Sequence, residues 1–449
     1  LIQIAEEDTT LQFQALREAG VSEEQLFRFR ICLFKKPHGY VRYWDNQLNR
    51  LEPVRNMQVW SLFLGIPIYS YSDGNGYYEI NWRFSIGTIM GTKAKNSRVN
   101  VKPLDTHGTL IRNIYTLITQ FIVGSIHIDG WVTPCQMRDG KDFNFYGHTQ
   151  VRYWSQLLNA YYFHDQYCDN ERITKAPWDM VCYAQWANTS NFIDFQGVPN
   201  FGNASTPMLG HIPGSLGSLI VQYFRGVFDG EDITNYPNLF NLLFGLLPDM
   251  TIRVPQATEP QFYNSRLCQT VMHELSHASH YQKVGNYWWV QFIKYEIGAT
   301  PVVGNPYGNW TDYTDVGESW AEFLGTNFVM RRYPNTSGIK EATNSIGGIV
   351  AGHYYRMDNL SENEFWFYGG QWIPYGAYHD LMDNTNLPPN NPNETWDIIQ
   401  DITIQQMYNA HGPSITNMCA YRQNFSAQYP GLNQLGVNQI FDQHNAICR

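Results

Sequence analysis

The sequence predicts an α+β, multidomain protein: a small N-terminal β-sandwich followed by a mostly helical domain. Three observations carry this. From about Pro37 apolar residues recur at every second position, the period of a strand with one buried face. From about His148 they recur at helical spacing. Residues 264–285 then form a capped amphipathic segment holding the pattern H-E-x-x-H. The bulk numbers agree. A chain of 449 residues has material for two or three domains, and 15% aromatic against 16% charged residues describes a folded chain, not a disordered one. A net charge of −10 disfavours nucleic acid or an anionic membrane as the main partner. No stretch reaches the roughly 20 uninterrupted apolar residues of a membrane span.

Residues 1–35 are a polar lead with a short helix opened by Ser22, Glu23 and Glu24. Residues 36–105 make the sandwich. Residues 39–44 alternate, residues 54–64 are rich in strand formers, and residues 66–84 read as a hairpin around Ser72-Asp73-Gly74-Asn75-Gly76. Residues 106–145 connect, with Ile111, Ile114, Ile118, Phe121 and Ile122 at roughly helical spacing. The second domain, residues 146–449, begins with a helix marked by Val151, Trp154, Leu157, Leu158 and Tyr161. Residues 192–217 read as a long surface loop and residues 238–247 as a buried helix. Residues 249–254 read as a strand just before the segment 264–285. The aromatic cluster Phe365, Trp366, Phe367, Tyr368 and Trp372 reads as core, and a further helix opens near Gly376. Because the sandwich can close its own small core, a chain starting near Gly140 is expected to keep the chemistry of the second domain.

The segment 264–285 is where the chemistry concentrates. Asn264 suits an N-cap, Gly285 a stop, and Lys283 the last turn. At ~100° per residue, Leu267, Cys268, Val271, Met272, Leu275 and Ala278 share one arc, and His273, His277 and His280 fall opposite. Two histidines one turn apart can meet on one Zn²⁺, and Glu274 beside the first can act as general base on the water the metal activates. A third protein ligand is required. His280 lies ~10.5 Å of helix rise from His273, too far for one metal on a straight helix, so a supporting or surface place is expected for it. The acidic run Asp312, Asp315, Glu318 and Glu322 is better placed. Within it, D-V-G-E-S-W-A-E-F-L-G predicts a second helix capped by Asp315, with Glu318 and Glu322 stacked at i, i+4. Val316, Trp320, Phe323 and Leu324 make that helix largely apolar, so carboxylates on it need a partner. Glu318 is the expected ligand and Glu322 its supporting hydrogen-bond group. Tyr378 and His379 are candidates to donate to the oxyanion formed at an attacked carbonyl.

H-E-L-S-H followed some forty residues later by G-E-S-W-A-E resembles a gluzincin-type zinc metallopeptidase, over roughly residues 249–330. The glycine and third histidine of the metzincin pattern are absent: positions 280 and 283 hold His and Lys. The S-D-G-N-G-Y-Y-E-I stretch resembles a turn of transthyretin-like or carboxypeptidase-regulatory-like sandwiches. Together these imply a zincin-like catalytic domain in a secreted bacterial hydrolase, at the periplasm or outer cell surface, in which the strand at residues 249–254 would border the cleft and pair with an extended substrate. His273, His277 and Glu318 would hold Zn²⁺ and Glu274 would act as base on a protein, peptide or glycoprotein substrate.

The cysteines, Cys32, Cys135, Cys168, Cys182, Cys268, Cys419 and Cys448, form no C-x-x-C pair. Cys268 reads as a buried free thiol, whereas Cys168 with Cys182 and Cys419 with Cys448 can bridge in an oxidising compartment. The chain opens at Leu1, which reads as a trimmed product and is compatible with a lipid anchor upstream. Two rival readings stand beside the peptidase. One is a surface binding protein, for glycans, that keeps a zinc-site scaffold. The other is a metal-dependent hydrolase of a non-peptide substrate.

Overall fold

The computed structural model describes residues 35–104 except 64, 85 and 86; 124–186 except 148; 204–212; 248–254; 264–298; 313–333; 377–382; 399; 401–443; and a few positions before 25. Its N-terminal region is strand-rich and its C-terminal part helical, an α+β arrangement. The chain divides into two compact units. One comprises Leu1–Trp44, Leu51–Asn96 and Ile126–Tyr146; the other comprises Asp45–Arg50, Ser97–Ser125 and Gly147–Arg449.

The first unit holds two four-stranded sheets. In one, β1 (His38–Asp45) pairs with β2 (Arg50–Pro53), with β5 (Tyr77–Glu79) and, in parallel, with β9 (Phe143–Phe145). The expected alternation is present in β1, which buries Val41, Tyr43 and Asp45. In the other, β3 (Gln58–Phe63), β4 (Ile66–Tyr71), β6 (Thr88–Lys93) and β8 (Ile126–Val132) run antiparallel in the order β4-β3-β6-β8. The turn at Asp73–Gly76 forms, with the Asp73 carboxylate accepting from the amides of Asn75 and Tyr77. Gly76 sits at φ +78°, where a Cβ would meet the Val41 carbonyl and Pro53. The predicted hairpin is corrected in one respect: β4 and β5, on either side of this turn, belong to different sheets. The turn carries the chain from one sheet to the other.

The second unit is built on a four-stranded sheet of order β11-β12-β10-β7. Strands β7 (Val99–Leu104), β10 (Met180–Trp186) and β12 (Met250–Val254) are parallel, and the short β11 (Ala204–Ser205) is antiparallel on β12. Val99, Val101, Met180, Cys182, Met250 and Ile252, which the register places on one face of this sheet, are buried. Helix α1 (Pro134–Asp139) belongs to the first unit. The second adds α2 (Gln150–Glu171), α3 (Asn264–Gly298), α4 (Tyr313–Arg332), α5 (Ala377–Met382), α6 (Ile404–Asn409), α7 (Met418–Gln428) and α8 (Gln434–Gln443). α2 ends on Arg172 at φ 56°, whose amide bonds back to Asp169 and Cys168.

The unit boundaries fall elsewhere than the expected 36–105 and 146–449. Residues 45–50 and 97–104 lie with the second unit, so a cut near Gly140 would strip β7 from its sheet. One cysteine expectation is corrected: Cys168 and Cys182 are free and buried and do not bridge. Cys268 is a buried free thiol as expected. Cys419 takes part in a disulfide, as does Cys135, and the expected partner Cys448 lies outside the described residues. The segments 105–123, 213–247 and 334–376, with their predicted helices and aromatic cluster, lie outside the described residues.

Candidate metal centre

α3 and α4 are the two predicted helices, and their packing makes the centre. The start of α3 is tied down by residues 45–50: the Asn264 amide donates to Asn46 Oδ1 at 3.1 Å, and Ser265 Oγ donates to Gln47 Oε1 at 3.1 Å. Arg152 of α2 donates to Asn264 Oδ1. Gly285, at φ 80° and ψ 174°, breaks α3 where the sequence places a stop, and a second helical stretch follows. α4 lies close against α3 because Gly325 faces the backbone of His273. A Cβ at Gly325 would sit 2.8 Å from His273 N and Cα. Gly317 likewise faces the Phe292 ring, so G-E-S-W-A-E-F-L-G carries a glycine just before the first glutamate and another just past the second.

The result is a compact ligand set. His273 Nε2 and His277 Nε2 lie 3.1 Å apart, and Glu318 reaches them at 3.4 Å and 3.2 Å with its two carboxylate oxygens. Their ligand atoms all fall within 4.8 Å of one another, and the group can hold a metal ion. His277 Nδ1 is buried without a partner. Glu322 Oε2 lies 3.0 Å from His273 Nδ1, so the ring is oriented from behind. Glu322 is held in turn by Gln269 Nε2 and Thr326 Oγ1, each at 3.3 Å. Burial disfavours a charged His273, but Glu318 and Glu322 outweigh it and hold its pKa well above the ordinary value. Burial likewise opposes ionisation of Glu318, yet His277 and His273 keep its carboxyl well below the usual range. The ligands are therefore charge-compensated before any cation arrives.

Glu274 is buried, and the Thr206 hydroxyl lies 2.6 Å from its Oε2 and 3.0 Å from its backbone carbonyl. Burial raises the Glu274 carboxyl, against the opposing pull of His273, His277 and Thr206. Thr206 directly follows β11, so the edge strand of the sheet runs beside this carboxylate. The loop carrying it is clamped by His211, whose ring nitrogens lie 2.8 Å from Asp249 Oδ1 and 3.0 Å from the Trp178 carbonyl.

Several expected roles are corrected. β12 does not border an open edge, because β10 and β11 pair with it on both sides; among the described residues the edge strand is β11. His280 is neither at the surface nor beside the ligands. It is fully buried, with its ring 4.7 Å from those of Trp288 and His411, and among the described residues neither of its nitrogens has a hydrogen-bond partner. Tyr378 is also fully buried. It packs on Trp320 and Phe323, and its hydroxyl points to the Met418 sulfur at 3.8 Å, so it is no oxyanion donor. Those contacts lie on the α4 face opposite Glu318 and Glu322. Asp315 sits inside α4 instead of capping it, and Asp312 and the His379 side chain lie outside the described residues. Thr206, Gln269 and Gly325 were missed by sequence reasoning. Only Gly325 left a trace, as the second of the two glycines around the glutamates.

No protein-family model matches this sequence, and no curated protein is significantly similar to it.

Proposed function

We propose that this protein is a zinc-dependent peptide hydrolase of the gluzincin type, acting on extracellular protein or glycoprotein. One observation carries the reading. Glu318, from a second helix, meets Nε2 of both His273 and His277, while the neighbouring Glu274 carboxylate is held apart on Thr206. Two imidazole nitrogens and one carboxylate suit Zn²⁺ with a position left open for chemistry. When bound, the ion supplies Lewis acidity toward a carbonyl and toward the attacking water. The remaining work falls to the chain. Glu274 takes the water proton and passes it to the leaving amine, and burial tunes its carboxyl toward that task. The outer edge of β11 offers backbone groups with which an extended peptide can pair beside Glu274. Glu322 keeps His273 in the tautomer that presents Nε2.

That Cys135 and Cys419 each take part in a disulfide supports an oxidising compartment and with it a secreted or cell-surface site. The two sheets of the first unit support the small transthyretin-like sandwich of such secreted enzymes. A binding protein keeping only a metal scaffold would have no use for a buried, positioned carboxylate at Glu274.

The test is Glu274→Gln. Zinc content and fold should be unchanged, and cleavage of a broad peptide library should fall at least ~10²-fold. Zinc loss in the variant would make Glu274 structural. Cleavage at parental rate would place the base elsewhere.

A further inference from the structure

We propose that the outward face of the β4-β3-β6-β8 sheet binds a neutral oligosaccharide on a platform of aromatic rings. The inference is independent of the metal centre. The inner face of this sheet is ordinary core: Val59, Ser61, Met90 and Val132 are buried, and His127 meets Phe145 of the neighbouring sheet edge to face. The outer face of a one-sided antiparallel sheet is normally polar. Here it is not. Tyr69 is 57% exposed, Tyr71 42% and Trp131 63%, with Trp60 between the strands that carry them. The register puts Trp60 opposite Tyr69 on one side and Gly91 on the other, with Trp131 opposite Ile89.

Two glycines show that the rings are seated. A Cβ at Gly87 would collide with the Trp131 indole, and one at Gly91 would meet the His127 carbonyl first and then the Trp60 indole at 2.6 Å. The Trp131 indole therefore lies over the bare backbone of Gly87 and is still largely exposed, and the Trp60 indole lies beside Gly91. The Trp60 ring is fixed by its Nε1, which donates to the Thr92 carbonyl at 3.2 Å. Glycine weakens a strand unless something must approach closely; at Gly87 that is the Trp131 ring, and at Gly91 it is the His127 carbonyl at the register shift together with the Trp60 ring.

Charge selects the ligand class. Along the paired rows of this face, Lys93 is the only charged residue, beside Gln58 and the tyrosines. Lys95 adds a second cation near Lys93 and Asp129 an exposed carboxylate in β8, so the charges near this face are few and of mixed sign, and on a chain of net charge −10 they suit phosphates, nucleic acid or anionic lipid poorly. Flat exposed π-faces match the apolar C–H face of a pyranose, and the Gln58 amide, the Lys93 ammonium and the tyrosine hydroxyls suit the hydroxyl groups around its edge. From Tyr69 on β4 to Trp131 on β8 is three strand spacings across and two residues along, roughly 16 Å. That span fits a chain of several sugars better than a single one.

The experiment uses the full chain on an array of neutral and acidic oligosaccharides, followed by titration calorimetry with the strongest binder. Binding to a neutral glycan is expected, weakened about tenfold by Trp131→Ala and again by Tyr69→Ala. Trp131→Phe, which keeps a ring, should stay within a few-fold of the parent, and Tyr287→Ala, at an exposed aromatic of the other unit, should change nothing. His273→Ala should bind as the parent does; loss of binding there would put the glycan at the metal centre and overturn the proposal. So would no neutral glycan bound at all, or full binding by the Trp131→Ala/Tyr69→Ala double variant. Vesicle binding or self-association in place of glycan binding, lost on Trp131→Ala, would likewise show that the face docks a membrane or a second copy.

Discussion

Gly325→Ala tests whether the metal centre depends on how closely α4 approaches α3. The new Cβ would sit 2.8 Å from His273 N and Cα, and these are backbone atoms that cannot rotate away. Ordinary contact begins near 3.5 Å, so the helices must part by about 0.7 Å at this point. If α4 pivots on Gly317, eight residues earlier and tight against Phe292, Glu322 moves by roughly 0.4 Å, in proportion to the ~1.5 Å rise per residue. That is enough to loosen its 3.0 Å contact with His273 Nδ1, and metal sites tolerate only about 0.2 Å in their distances. Stability should move much less. Alanine gains about 1 kcal/mol of helix propensity over glycine, against about 1–3 kcal/mol for overpacking, a net loss of about 0–2 kcal/mol. The expected signature is a folded protein with zinc affinity lowered about 10- to 100-fold. Competition against a chromophoric chelator reads the affinity, and thermal melting in excess chelator reads the fold. Gly412→Ala, where a Cβ meets nothing within 4 Å, is the control. Parental zinc affinity in Gly325→Ala would refute the close-packing argument.

Three further outcomes are expected. Glu318→Ala should weaken zinc more than Glu322→Gln, which removes only support for the His273 ring and should cost about 10- to 100-fold; the reverse order in chelator competition would exchange their roles. Because Glu318 and Glu322 hold the His273 pKa high, His273 carries a proton in the metal-free protein, and zinc must displace it. Affinity should therefore fall as pH falls, with proton release visible by calorimetry in buffers of different ionisation enthalpy; no buffer dependence would contradict this. His164 and His280, lowered by burial to about 3, and His411, lowered by the same cause, stay neutral in the fold but charge in the unfolded chain below pH ~6.5. The unfolded state then binds more protons from pH ~6.5 down to about 3, so stability drops through that window by about 1.4 kcal/mol per pH unit for each histidine. Urea midpoints should fall from pH 7 to 5.5, less steeply in His411→Phe; equal midpoints in the parent would show these histidines are not buried neutral.

What the sequence made legible follows from where each signal is stored. The clustering of His273 and His277 on α3 was readable because they lie one helical turn apart, in a segment that an Asn and a Gly mark off. Glu318 was readable because a carboxylate on an apolar helix needs a partner. The sheet of the second unit was not. V-N-V-K-P-L alternates like a sandwich strand, and nothing in its period says that β7 pairs with β10, some eighty residues later. β11 is two residues long, below any periodic signal, and Thr206 reaches Glu274 across 68 positions. His280 shows the limit of arc reasoning. Placing the three histidines opposite the apolar arc assumes that the opposite side is open, but α3 is covered there as well. Trp288 Nε1 donates to the Ile415 carbonyl, and the Tyr408 hydroxyl donates to the Ser279 carbonyl. A helix covered on both sides, as α3 is through residues 271–281, gives imidazoles two destinations, a metal or an aromatic core. Only the partner helix decides between them: α4 turns Glu318 and Glu322 toward His273 and His277, and Trp320 toward the ring of His411 that covers His280.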